Sequence, residues 1–284
     1  QIISCRPSVL SVTPQWRGCK TVEDFLPFKV RILDEYGNPC RRFLETAKIT
    51  LSQGTGDLIC DNCQKKLLNG WSMFKLQYYT AETITIKVEP VDSSFAVETT
   101  FHTVYVGHGR AARMAMSGPS SAVSLAGFGV IEGKFYDEHD NRVLRSEYGY
   151  CFRPQTSSSS HSQAPENIVE IGLGAMPDRT RSLRGVLRRK IANGTVTWPT
   201  DTISFGKRGP LTLEFVPSIA QLSDVSVPST SMTLEILVGV PKTLNVVAQP
   251  YEGINALQLE SDFVLESSDA AGNLLLGSDP IFAD

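Results

Sequence analysis

One phrase recurs three times along this chain and sets what it can fold into. The copies are Phe28-Lys-Val-Arg-Ile-Leu-Asp34-Glu-Tyr-Gly37-Asn38-Pro39, Val130-Ile-Glu-Gly-Lys-Phe-Tyr-Asp137-Glu-His-Asp140-Asn141 and Phe263-Val-Leu-Glu-Ser-Ser-Asp269-Ala-Ala-Gly272-Asn273. Each is a β-rich run that closes on Asp-x-x-(Gly or Asp)-Asn. Alternating residues in the run suit a half-buried strand. The Asp side chain bonds the backbone two residues on, and Gly or Asn tolerates the left-handed conformation that closes the turn. The strand is therefore predicted to end at the Asp, with the chain reversing at the Asn.

The flanks repeat too. Val106-Gly107 leads to Asp137 and Val238-Gly239 leads to Asp269, an interval of 31 residues each time (137 − 106 and 269 − 238). Pro14, Pro119 and Pro250 stand ahead of the three Asp residues at comparable distances. After the turn, Leu68-Asn69-Gly70-Trp71-Ser-Met-Phe74 matches Ala192-Asn193-Gly194-Thr195-Val-Thr-Trp198, and Thr83–Val88 matches Leu211–Val216. These read as an Asn-Gly turn into a strand, then a regularly alternating strand. Trp71 and Trp198, near that turn, are expected to pack between sheets. Tyr78 and Tyr79, also in strand pattern, suit the core better than an outward contact pair.

Strands punctuated by Gly, Pro, Asn and Asp, with no sustained helical period, predict an all-β chain of tandem immunoglobulin-like β-sandwiches, the third incomplete. The boundaries fall at 1–107, 108–239 and 240–284, with Gly107 and Gly239 at the junctions. The step from Asp to the Asn-Gly turn is 35 residues in the first copy (69 − 34) and 56 in the second (193 − 137). The second sandwich thus carries an insertion, expected as a long surface loop near 155–184, where Ser157 begins a polar stretch. Half a sandwich cannot bury its inner face, so the third repeat is expected to be completed in cis or in trans.

The arrangement resembles the bacterial immunoglobulin-like repeats of invasin and intimin, and also filamin-type repeats. The residues that carry the resemblance are the Phe28–Asn38 strand-turn, Leu51-Ser-Gln-Gly-Thr-Gly56, the Asn69-Gly70 turn and the Thr83–Val88 strand. The second copy departs from the pattern at Asp140 and in its insertion. The resemblance implies spacers, adhesins and scaffolds, but a fold does not fix a function.

Composition narrows the rest. Hydrophobic residues make up 41 % and charged residues 20 %, enough to bury real cores. The net charge of −3 gives no global attraction for nucleic acid, and no apolar run approaches the ~20 residues of a membrane helix. No nucleophile elbow, phosphate loop or paired metal motif occurs. No enzyme, cofactor or resident metal is therefore expected. The carboxylates at Asp34, Glu35, Asp137, Glu138, Asp140 and Asp269 invite a calcium reading, but each group recurs where Asp has a local turn-closing job.

Six cysteines bear on compartment. Cys5, Cys19, Cys40, Cys60 and Cys63 are candidate disulfide partners, with Cys151 far downstream. Cys60-Asp-Asn-Cys63 is the sharpest pair, and a zinc site there would need two more ligands. Asn193-Gly194-Thr195 is a glycosylation sequon. The basic run Arg179, Arg181, Arg184, Arg188, Arg189 and Lys190 is either a partner-contact loop or a solvated edge strand guarded by charge.

The expected function is a non-enzymatic repeat segment of a larger surface or filamentous protein, acting as semi-rigid spacer and protein-interaction scaffold. Its partners would be other repeats of the same or a neighbouring chain and protein ligands, with no nucleic acid and no membrane insertion. An adhesin or glycan-binding module is one alternative, needing an exposed aromatic platform or a bound cation at a loop end. An intracellular filamin-type scaffold is the other. The expected location is extracellular or cell-surface, with a cytoskeletal or ciliary setting as the alternative.

Overall fold

The computed structural model describes residues 6–91, 96–144, 168–173, 183–218, 226–248 and 264–279. All regular elements among them are strands, and the chain separates into two compact units. The first comprises Gln1–Ala111 and Tyr136–Ser160, the second Ala112–Phe135 and His161–Asp284.

The first unit is a two-sheet sandwich. Its strands are β1 (Pro7–Pro14), β2 (Lys20–Thr21), β3 (Leu26–Asp34), β4 (Thr46–Gln53), β5 (Leu58–Cys60), β6 (Gln64–Lys66), β7 (Trp71–Tyr78), β8 (Thr83–Pro90) and β9 (Thr100–Gly107). One sheet has the order β1-β3-β7-β5 and the other β2-β9-β8-β4-β6. Strict alternation decides which side chains enter the core: Leu26, Phe28, Val30 and Ile32 of β3 are wholly buried, as are Phe74, Leu76 and Tyr78 of β7 and Ile84, Ile86 and Val88 of β8. At about 25 cal/mol per Å2 of apolar surface, this interior supplies the main stabilisation.

The second unit repeats the plan. Its strands are β10 (Arg113–Ser117), β11 (Ser121–Val123), β12 (Ile131–Tyr136, its last residue assigned to the first unit), β13 (Ile168–Leu173), β14 (Leu183–Gly185), β15 (Arg188–Lys190), β16 (Thr195–Trp198), β17 (Ile203–Phe205), β18 (Gly209–Ser218), β19 (Thr230–Leu237), β20 (Thr243–Ala248) and β21 (Val264–Ser268). One sheet runs β10-β12-β16 and the other β11-β19-β18-β13-β15; β14 pairs with β17, and β20 with β21. In each unit a short early strand lies parallel to the last strand of its sandwich, β2 on β9 and β11 on β19. The matching sheet orders make β13 the counterpart of β4.

That match corrects the expected insertion. Ile168–Leu173, foreseen within a loop over 155–184, is instead a strand between β18 and β15, with Val169 and Ile171 buried. Strand β4 begins 12 residues after Asp34 (46 − 34), whereas β13 begins 31 after Asp137 (168 − 137). The extra length thus falls mainly ahead of β13, and residues 145–167 lie outside the described residues.

The two tryptophans part company. Trp198 is 1 % exposed, as expected, and its indole Nε1 donates to the Val186 carbonyl at 3.0 Å. Trp71 is 42 % exposed, against expectation. Phe74, Leu76 and Tyr78 take the inward positions of β7, so the odd-numbered residues face out. Phe74 opposite Phe28 holds the core place that Trp198 opposite Ile131 holds in the second unit.

Candidate functional site

The recurring Asp lies on the inward side of its strand, at the strand's last position or just beyond it. Asp34, Asp137 and Asp269 are 1 %, 2 % and 3 % exposed. A buried carboxylate is costly unless hydrogen-bonded. Each uses one oxygen to close the turn. Asp137 Oδ1 accepts the amides of His139 and Asn141, both at 2.9 Å. Asp269 Oδ1 accepts those of Ala271 at 2.8 Å and Asn273 at 2.9 Å. Asp34 Oδ1 accepts those of Tyr36 at 3.0 Å and Asn38 at 2.8 Å. The residue before each Asn has a left-handed backbone, with φ 80° at Gly37, 64° at Asp140 and 82° at Gly272. These oxygens of Asp34, Asp137 and Asp269 are engaged by N–H donors of their own turns.

The second oxygen reaches across to the segment that leads into the same sequence repeat. Gly109 N donates to Asp137 Oδ2 at 2.7 Å, and Gly239 N donates to Asp269 Oδ2 at 3.0 Å. Burial alone would raise the Asp269 pKa. Hydrogen bonds from the Asn273 side chain and from the amides of Gly239, Asn273 and Ala271 outweigh it and hold the group at about 2.

The Asn then makes a second, two-way contact. In the first unit Asn141 Nδ2 donates to the Tyr79 carbonyl at 2.8 Å, while Asn141 Oδ1 accepts the Ala81 amide at 2.8 Å. In the second unit Asn273 Nδ2 donates to the Gly206 carbonyl at 2.7 Å, while Asn273 Oδ1 accepts the Arg208 amide at 2.9 Å. In both, the amide pairs with the carbonyl of one residue and the N–H two residues later, as a neighbouring strand would. Asn273 Nδ2 also reaches Ser124 Oγ at 2.9 Å. His139 stacks on Tyr79 with centroids 4.3 Å apart, and Arg208 pairs with Asp279 at 2.7 Å. The Asp-Asn turn is thus more than a strand terminator: it clasps the loop between β7 and β8 in the first unit and the one between β17 and β18 in the second.

The sequence pattern located the turn but not the clasp. Two signals were available: the Asp continues the inward phase of its strand, and the Asn recurs at a fixed offset of four residues. Asn38 is the exception, for its side-chain amide bonds only Asp34, at 3.3 and 3.2 Å, among the described residues.

The other candidate residues are spread out. Cys60 and Cys63 stand at disulfide distance, their Cα atoms 5.5 Å apart. Cys40 is buried in the core, Cys19 is half-buried, and Cys5 and Cys151 lie outside the described residues. Asn193 is exposed at its turn with φ 49°. The basic run is not a single loop: Arg184 is in β14, and Arg188, Arg189 and Lys190 form the edge strand β15. Alternation along paired strands draws them into sheets. Arg188 pairs with Glu170 at 2.9 Å, while Arg179 and Arg181 lie outside the described residues. Among the described residues no group of three or more His, Cys, Asp or Glu is placed to hold a metal ion, and no helix is long and apolar enough to cross a membrane.

No protein-family model and no curated protein matches the chain. Solved structures similar to it include the Escherichia coli adhesin FdeC, 15 % identical, covering 80 % of this chain and 63 % of that one, TM-score 0.36. Intimin D0-D1 is 10 % identical and covers 78 % of this chain and 96 % of that one, TM-score 0.28. Parabacteroides merdae β-glucuronidase is 15 % identical over 36 % of this chain, TM-score 0.30, and the match spans only 12 % of that enzyme's length. Adhesins and an enzyme stand side by side at these scores, so the likenesses assign no activity.

Proposed function

We propose that the chain is a non-enzymatic structural segment, an array of immunoglobulin-like sandwiches in which the Asp-Asn turn of one repeat locks into the sandwich before it. The observation that carries this reading is the twice-made clasp, Asp137 with Asn141 and Asp269 with Asn273. Its donors and acceptors come from the β7–β8 and β17–β18 loops and from the residues entering the repeat. A side chain that pairs with backbone on both of its polar atoms holds its turn against the loop it meets. Such an array holds sites apart and presents its outer faces to partners. Repeats along the same or a neighbouring chain are the first of these.

Force extension of the full chain tests it. A clasped array unfolds in successive steps, and Asn141→Ala lowers the force of one of them. A single all-or-none event, unchanged in Asn141→Ala, would sink the reading. The compartment we propose is the cell exterior, supported by the exposed sequon at Asn193 and the Cys60–Cys63 spacing. Mass spectrometry of native-source protein without reduction checks it. An occupied Asn193 and an oxidised Cys60–Cys63 pair are expected, while a bare Asn193 with free thiols would move the array inside the cell.

A further inference from the structure

The outer face of β3 and β7 holds residues that the clasp and the core leave unused. Lys29 and Arg31 project outward from β3 opposite Met73 and Trp71 of β7. Together with Pro39, Arg41, Asn69 and Gly70 they line a cleft of about 520 Å3. The Lys29 ammonium sits over the Trp71 indole, 4.3 Å from its centroid, which fixes the ring while leaving it 42 % exposed. No Asp or Glu lines the cleft, and among the described residues no carboxylate pairs with Lys29, Arg31 or Arg41.

An exposed indole and three unneutralised cations in one cleft, Lys29 and Arg31 on β3 and Arg41 in the turn beyond it, are costly to keep without a use. Like charges gathered in one cleft repel, and an exposed tryptophan invites association. The second sandwich shows how such a face looks when neutralised. Phe28 facing Phe74 corresponds to Ile131 facing Trp198, so Lys29 and Arg31 correspond to Glu132 and Lys134. There Lys134 pairs with Glu132 at 2.9 Å, and the place of Trp71 is taken by Thr195. The cationic, aromatic character therefore belongs to the first sandwich's sequence, not to the fold.

We propose that this cleft binds an acidic saccharide, one bearing sulfate or uronic carboxylate groups. Its anionic groups are taken by the guanidinium forks of Arg31 and Arg41 and by Lys29. A sugar ring offers a C–H face that lies flat against the indole, and its hydroxyls reach the Asn69 amide and the backbone at Gly70. A saccharide fits better than a nucleic acid because the cleft has one aromatic residue, where a strand of bases needs a succession of them. The site adds a ligand to the structural array proposed above without depending on the clasp.

The test is calorimetric titration of the full chain with a heparin-derived sulfated tetrasaccharide and with a uronic-acid tetrasaccharide. A neutral maltotetraose and a thymidine tetranucleotide serve as comparison ligands. Binding of at least one acidic saccharide is expected with Kd below about 1 mM. It should weaken about tenfold or more in Trp71→Ala and in the double variant Arg31→Gln with Arg41→Gln. Arg188→Gln, an exposed position on the other sandwich, should leave it unchanged. All variants alter outward side chains, and an unshifted melting temperature verifies their fold. Four results would overturn the proposal: no acidic saccharide binding at 1 mM, equal binding by the cleft variants, equal affinity for maltotetraose, or tighter binding of the tetranucleotide.

Discussion

The two sandwiches share their cross-strand register and differ in what they hang on it. In the first, β3 and β7 pair Phe28 with Phe74 inside and place Lys29, Arg31 and Trp71 outside. In the second, β12 and β16 pair Ile131 with Trp198 inside and place an internally neutralised Glu132–Lys134 pair beside two threonines outside. A one-residue slip would exchange the two faces of a strand, so the buried aromatics set the register and hold it. With the register fixed from inside, the outward positions are free to diverge. Tryptophan shows this most plainly, since on these paired strands Trp198 is core and Trp71 is surface.

Replacing the two indoles therefore gives the sharpest test. Trp198→Ala removes the largest fully buried side chain and orphans the Val186 carbonyl. It should destabilise the second sandwich by about 3–5 kcal/mol. Trp71→Ala should change stability by no more than about 1 kcal/mol, because the ring is half in solvent and its main partner is one ammonium. Urea unfolding followed by far-UV circular dichroism measures both. Comparable losses from the two would erase the distinction between core and surface tryptophan.

The same residues show how much the sequence revealed. The repeat, the all-β class and the Asp-x-x-x-Asn turns are legible because strand alternation and turn chemistry are local. The outward place of Trp71 was legible as well, had the inward phase been counted back from Phe74, Leu76 and Tyr78. The insertion was misplaced because a polar serine run looks like loop whether or not a strand follows it, and β13 is recognised only by its partners β18 and β15. The clasp was out of reach. The partners of Asn141, Tyr79 and Ala81, lie about 60 residues away, and nothing in a backbone carbonyl or amide marks it in the sequence.

The clasp supplies the next comparison, between Asn141 and Asn273 on one side and Asn38 on the other. Asn141→Ala leaves the Tyr79 carbonyl and the Ala81 amide without partners, which costs about 2–3 kcal/mol. Asn273→Ala leaves the Arg208 amide without one while the Gly206 carbonyl keeps the Ser124 hydroxyl at 2.7 Å, and costs about 1–2 kcal/mol. Asn38→Ala removes only bonds to Asp34 and should cost about 1 kcal/mol or less. Thermal melts rank the three, and equal costs would mean that the reach to the neighbouring loop contributes nothing. Acid sharpens the same point at Asp269. Its folded pKa, about 2, lies below the ordinary carboxylate value near 4. Its contribution is therefore fully present above about pH 4 and lost as pH falls toward 2. Asp269→Asn should flatten the pH dependence of the second sandwich in that window, as read by urea midpoints from pH 2 to pH 6.

The smallest contrast concerns the left-handed residue inside each turn. Gly37 and Gly272 hold φ 80° and 82° without a Cβ, whereas Asp140 holds φ 64° with one. A Cβ there crowds the following carbonyl, a penalty of about 1 kcal/mol that Asp bears better than most residues. Asp140→Gly relieves this strain but gives the unfolded chain more freedom to lose on folding. The net expected gain is therefore only about 0.5 kcal/mol. Gly272→Ala runs the other way, placing a Cβ on a backbone at φ 82°, and should cost about 1 kcal/mol. No heavy atom lies within 4 Å of the ideal Cβ position at Gly272, so the cost is conformational and owes nothing to packing. Differential scanning calorimetry of the two variants should show shifts of opposite sign. Shifts of the same sign would mean that the interactions of the Asp140 side chain outweigh the strain of its left-handed backbone.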